Sequence, residues 1–105
     1  MTVSEISVRD LAALGADARI VDVREPDEWA QGHIAHATHV PLATVPGNLD
    51  RFDGSPTYVI CRSGGRSGQA CDYLGAQGVE AVNVTGGMLA WVAAGFDVDT
   101  GAAGG

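Results

Sequence analysis

Short apolar runs alternate along the chain with stretches whose apolar residues share one helical face. Arg19-Ile20-Val21-Asp22-Val23, Thr57-Tyr58-Val59-Ile60-Cys61 and Ala81-Val82-Asn83-Val84 are compact and rich in β-branched residues. That is the pattern of strands covered on both faces. Glu5-Ile6 and Thr38-His39-Val40 are shorter extended candidates, the first suited to a sheet edge. Ser7 is placed to cap a helix carrying Leu11, Ala12 and Leu14, with Asp10 three residues on and Gly15 as its stop. Pro26 suits the first turn of a short helix through Trp29 and Ala30, ended by Gly32. Leu42 to Phe52 contains Pro46 and Gly47 and predicts one or two short helical turns, and Asp53-Gly54-Ser55-Pro56 is a turn cluster. Ala70, Cys71 and Leu74 share a face of a helix ended by Gly78; Gly86-Gly87 lead into another with Met88, Leu89, Trp91 and Val92, stopped by Gly95. Strand–helix alternation of this kind predicts an α/β fold, a mostly parallel sheet with helices on both faces. Reactive groups in such sheets lie beyond the carboxyl ends of the strands, and Cys61 stands at one.

Length and charge narrow the reading. The 105 residues suit one domain, expected over residues 1–100, with the glycine- and alanine-rich residues 101–105 as a flexible tail. Thirteen acidic residues face six basic ones, for a formal net charge of -7, and all six bases are arginine. This balance argues against nonspecific binding to nucleic acid or an anionic membrane, since both require a positive field. The absence of lysine excludes a Schiff-base mechanism and a phosphate-cradling lysine loop. Two cysteines make no disulfide framework. With no basic and apolar leader and no long apolar run, the expected setting is a reducing cytoplasm with free thiols.

One of those thiols is placed for chemistry. Cys61 ends a buried strand and is followed by Arg62-Ser63-Gly64-Gly65-Arg66-Ser67 before a helix begins. Glycines let successive backbone N–H groups turn inward to form a nest for an anion. The start of the helix adds unpaired N–H groups and the positive end of its dipole. Ser67 can cap that helix or turn its hydroxyl into the nest, and Arg62 and Arg66 bring permanent positive charge to draw in an anionic donor. A thiol over such a nest loses its proton readily, so Cys61 is expected to act as a nucleophile near neutral pH. Cys71 lies mid-helix between Ala70 and Asp72 and reads as a core thiol.

Four segments together resemble the single-domain rhodanese family of sulfurtransferases. They are Asp22-Val23-Arg24-Glu25, the stretch from Glu28-Trp29-Ala30-Gln31-Gly32-His33-Ile34 to Ala37, the loop Cys61 to Ser67, and Gly86-Gly87-Met88-Leu89-Ala90-Trp91. The resemblance implies a central parallel five-stranded sheet and a Cys61 that accepts sulfane sulfur as a persulfide. Backbone amides of the loop would hold the outer sulfur, and Asp22 and Arg24 would brace it. It implies a small donor such as thiosulfate or a persulfide, and cyanide or a thiol as acceptor. A sulfur-carrier protein is a further candidate partner. No metal and no organic cofactor is expected.

Rival readings stay in view. A cysteine phosphatase would need its arginine at position 67, where this chain has Ser67; Arg66 comes one residue early, and the shorter nest suits one sulfur better than a tetrahedral oxyanion. A relay module that binds a partner with little turnover of its own is compatible with the same residues. His33, His36 and His39 invite a metal reading, but Gly32, Thr38, Val40 and Pro41 break any helix that would align them. Glu28 and Trp29 read as packing and local hydrogen bonding, and Asp97 and Asp99 as solvated charge.

Overall fold

The computed structural model describes residues 3–101. Its element order is β1 (Ser4–Ile6), α1 (Val8–Leu14), β2 (Arg19–Asp22), α2 (Pro26–Gln31), β3 (Thr38–His39), a 3-10 segment (Leu42–Arg51), β4 (Thr57–Ile60), α3 (Gly65–Ala76), β5 (Ala81–Val84) and α4 (Gly87–Ala93). The five strands form one parallel sheet in the order β1-β5-β4-β2-β3.

Side-chain alternation along the strands divides the core in two. Ile20, Ile60 and Val84 point to the side covered by α1, α2 and α4, where they meet Leu11, Trp29, Met88 and Trp91. Val21, Val23, Val59 and Cys61 point to the other side, against Ala70, Cys71 and Leu74 of α3 and Val45 and Phe52 of the 3-10 segment. A strand apolar on both faces is therefore what each central strand needs to be. The 3-10 segment is broken at Asn48, whose φ of -133° is not helical, and carries Pro46 inside it.

Local signals set the element ends. The Ser7 hydroxyl accepts from the Asp10 N–H at 3.1 Å, capping α1. Pro26 sits in the first turn of α2, and Gly32 ends that helix. The stretch after α4 folds back over α2. His33 and Asp99 exchange two backbone hydrogen bonds of 2.9 and 2.8 Å, so Asp99 has a pairing role in its backbone besides its exposed side chain. The Trp91 indole donates to the Asp97 carbonyl at 3.0 Å. Gly101, expected to begin a frayed tail, donates its N–H to the Ala30 carbonyl at 2.8 Å. The rest of that expected tail, residues 102–105, lies outside the described residues. No helix among the described residues is long and apolar enough to cross a membrane.

Candidate active site

β4 delivers Cys61 to its carboxyl end, where the side chain is only 1% exposed. The chain then turns sharply. Gly64 adopts a φ of +106°, a conformation disfavoured for any residue with a Cβ, and α3 begins at Gly65. The turn aims the Gly64 N–H at Cys61 Sγ, 3.1 Å away. Ser67 does not cap α3: Gly64 occupies that position, so Ser67 falls inside the first turn and is fully buried. Its hydroxyl oxygen lies 3.3 Å from Cys61 Sγ and 2.5 Å from Asn83 Oδ1.

These donors decide the state of the thiol. Burial alone would push the Cys61 thiol up. Hydrogen bonds from the Ser67 hydroxyl and from the N–H groups of Ser67, Gly64 and Ser63 more than reverse this, and they hold it below its ordinary value. Cys71 has no such donors. Burial and the nearby Cys61 push its thiol up to about 12.

The two arginines of the loop differ from each other. Arg62 is exposed and has no carboxylate partner among the described residues. Arg66 is not a loose anion trap. Its Nη1 and Nη2 donate to Glu28 Oε1 and Oε2 at 2.6 and 2.8 Å, a two-pronged clamp from α3 to α2. Glu28 Oε1 also accepts from the Glu25 N–H at 3.1 Å, so the same carboxylate fixes the start of α2. The charge of Arg66 is thus matched locally, by a pair that ties α3 to α2.

Asp22 and Arg24 pair with each other at the end of β2. Both are buried, and Arg24 Nε and Nη2 grip the Asp22 carboxylate at 2.8–3.1 Å. Arg24 Nη2 also donates to the Gly32 carbonyl at 2.7 Å, tying the end of β2 to the end of α2. Two of the three histidines pack against Trp29. His33 Nδ1 donates to the Trp29 carbonyl at 2.8 Å, and its ring lies parallel to the Trp29 indole at 3.6 Å. His39 Nε2 donates to the Arg24 carbonyl at 2.7 Å and stacks on Trp29 at 4.8 Å. His36 is exposed.

Two residues join the site that the sequence reading left out of it. Asn83 lies in the buried part of β5, where its Nδ2 donates to the Gly64 carbonyl at 3.1 Å and its Oδ1 competes with Cys61 Sγ for the single Ser67 hydroxyl proton. A lone amide in an otherwise apolar strand was the available signal. Glu28 is the other, and only the folded chain brings it to Arg66.

The clamp has a pH signature. Its hydrogen bond to Arg66 draws the Glu28 carboxyl from 4.5 down to about 2. A lowered carboxylate pKa stabilises the fold above the ordinary value, and this stabilisation disappears as the pH falls towards about 2. After allowance for partial solvent exposure we expect Glu28→Gln to cost about 1–2 kcal/mol at neutral pH. Urea titrations of wild type and variant should converge as the pH is lowered below about 4. Equal separation at acid and neutral pH would show that the carboxylate charge is not what the clamp uses.

The arrangement is a buried thiol with backbone N–H groups and a hydroxyl directed at its sulfur, which favour the thiolate. Known proteins resemble the chain in sequence and in fold. A protein named sulfurtransferase from Allochromatium vinosum is 40% identical over 101 residues, covering 91% of this chain and 94% of its own. A thiosulfate sulfurtransferase from Pseudomonas entomophila is 38% identical over 89 residues, covering 82% of each chain. A crystal structure of a rhodanese-like domain protein from Staphylococcus aureus superimposes with a TM-score of 0.83 at 36% identity, over 93% of this chain and 98% of that one. These likenesses support a role in sulfur transfer or sulfur carriage. Residues 7–94, from the cap of α1 to the end of α4, match the rhodanese-like domain family, and the chain belongs to that family.

Proposed function

We propose that the protein is a sulfurtransferase that carries sulfane sulfur on Cys61. The observation behind this reading is the Gly64 N–H aimed at a buried Cys61 Sγ, with the Ser67 hydroxyl beside it. Both favour a sulfur that bears negative charge. In the first half-reaction the Cys61 thiolate attacks the outer sulfur of thiosulfate. The S–S bond of thiosulfate breaks, sulfite leaves with the electron pair, and Cys61 becomes a persulfide anion. In the second, an acceptor such as cyanide attacks the outer sulfur and Cys61 leaves as thiolate. The added sulfur would sit among the N–H groups of residues 62–67, which need no reorganisation when the charge arrives. Double-displacement kinetics follow from the covalent intermediate.

Intact-mass measurement tests the reading. Incubation with thiosulfate should add about 32 Da, one sulfur atom, on the peptide that contains Cys61. Cyanide should then remove it with release of thiocyanate. A chain that takes up no sulfur from thiosulfate or from an organic persulfide is not a sulfurtransferase of this kind. A relay role would use the same persulfide. It would be distinguished by sulfur that loads on Cys61 but discharges only to a partner protein.

A further inference from the structure

β5 brings one amide into the apolar layer beneath α3. Ala81 and Asn83 alternate onto that face, and Asn83 is only 6% exposed. Its Nδ2 donates to the Gly64 carbonyl at 3.1 Å, which the Gly68 N–H also holds at 3.0 Å. Position 68 has no side chain to keep the amide away: a Cβ there would lie 3.3 Å from Nδ2. These contacts settle which way round the amide sits. A carbonyl only accepts, so the NH2 group faces Gly64 and Oδ1 faces Ser67. Oδ1, 2.5 Å from Ser67 Oγ, can itself only accept. The hydroxyl therefore has one proton and two claimants, Asn83 Oδ1 and Cys61 Sγ at 3.3 Å.

Which claimant wins depends on the charge of the sulfur. A thiol can donate, so S–H to Ser67 Oγ and Ser67 O–H to Asn83 Oδ1 form a chain that fills both oxygens. The shorter of the two contacts, to Asn83, belongs to this chain. A thiolate cannot donate. A hydrogen bond to an ion is stronger than one to a neutral carbonyl, so the hydroxyl turns to Sγ and Oδ1 loses its donor. Resting on the sulfur-transfer reading, we propose that Asn83 is a positioning residue that takes the Ser67 proton when Cys61 is a thiol or a persulfide and yields it when Cys61 is a thiolate. The change is a rotation about the Ser67 Cβ–Oγ bond. No O–H bond breaks, and the thiol proton leaves to solvent. When the thiolate attacks a sulfur donor, the negative charge passes to the outer sulfur. Sγ becomes a weak acceptor and the hydroxyl returns to Oδ1. Asn83 thereby opposes the bare thiolate and favours the loaded form over it.

The test carries a sign that structural damage would not produce. Asn83→Leu removes the rival acceptor at similar volume, so the hydroxyl stays on Sγ. The thiolate should then form at a pH lower by about half a unit to one unit, the worth of one hydrogen bond. A merely loosened loop would move it up. The readout is the ultraviolet absorbance of the thiolate against pH, with Cys61→Ser as the blank, and it needs no turnover. The other ionisable groups around the sulfur are Arg62, Arg66 and Cys71 on the loop and α3, and the matched Asp22–Arg24 pair at the end of β2 beside β4. The 3-10 segment meets it with Val45 and Phe52, and Asn83→Leu alters none of these charges. Ser67→Ala should raise the midpoint, and combining it with Asn83→Leu should change nothing further, because Asn83 acts on the sulfur only through that proton. A rise in Asn83→Leu, or an effect of it that persists without Ser67, overturns the proposal. In wild type, where folding is not in question, the Asn83 side-chain carbonyl resonance should move with the midpoint of Cys61, and should move much less in Ser67→Ala. A constant resonance, or an equal shift in Ser67→Ala, also overturns it. Sulfur uptake from thiosulfate is scored separately. Titrations that behave as stated in a chain whose Cys61 takes up no sulfur would overturn sulfur transfer, and the role of Asn83 in it.

Discussion

Alanine at position 87 is expected to destabilise the fold by about 2–5 kcal/mol and to remove most sulfur transfer. Gly87 has a φ of +55°, and a Cβ there would lie 2.4 Å from the Cys61 carbonyl oxygen and 2.6 Å from the carbonyl atoms of Arg62. The backbone conformation alone costs an alanine about 1–2 kcal/mol. The overlap adds about 1–3 kcal/mol, because its target is main chain and cannot swing away as a side chain would. Relief requires α4 to retreat from the loop. That would break the hydrogen bonds that Met88 and Leu89 donate to Cys61 and Arg62, at the two residues that begin the sulfur ring. Thermal unfolding should fall by about 10–30 °C in a chain of this size. Gly95→Ala is the control, since Gly95 also has positive φ, +83°, but nothing lies within 4 Å of its would-be Cβ. That variant should show the conformational cost alone and keep its activity. Equal losses at the two positions would mean that the close approach of α4 to the loop is unimportant.

The same contrast explains what could be read from the chain before folding. Ser7, Gly15, Pro26 and Gly32 act on neighbours within one turn, and so the ends of α1 and α2 were legible. The run Thr57 to Cys61 announced a buried strand, and the glycines after it announced a tight turn. The position of Ser67 was less clear, because the cap falls three residues earlier, at Gly64. The left-handed Gly64 starts α3 early and turns the Ser67 hydroxyl onto the sulfur. The Glu28–Arg66 clamp spans 38 positions and the Ser67–Asn83 bond spans 16. Nothing in local propensity records such pairs. They exist because the parallel order puts the ends of β2, β4 and β5 side by side, with α2 and α3 starting from the same edge. The charge of Arg66 was legible, but its Glu28 partner was not.

Cys61→Ser should lower sulfur transfer from both thiosulfate and an organic persulfide by at least about a thousandfold, to background. A serine hydroxyl in the same ring still accepts the Gly64 N–H, but it is not ionised near neutrality and forms no persulfide. Loss with an unchanged unfolding curve would assign the effect to chemistry rather than folding. Cys71→Ala is the matched control. The Cys71 thiol is pushed up to about 12 and stays protonated where Cys61 is ionised, so its removal should leave a small core defect, about 1 kcal/mol, and preserve transfer. The pH profile adds a sign. Because the ring holds the Cys61 thiol below its ordinary value of 9.0, the loading rate should rise with pH and level off before that value. Ser67→Ala removes the hydroxyl donor and should move the rise to higher pH. If Cys61→Ser keeps its transfer activity, sulfur does not pass through Cys61. If Ser67→Ala leaves the profile in place, Asn83 retains the hydroxyl proton in the reacting state, and the backbone N–H groups alone carry the thiolate.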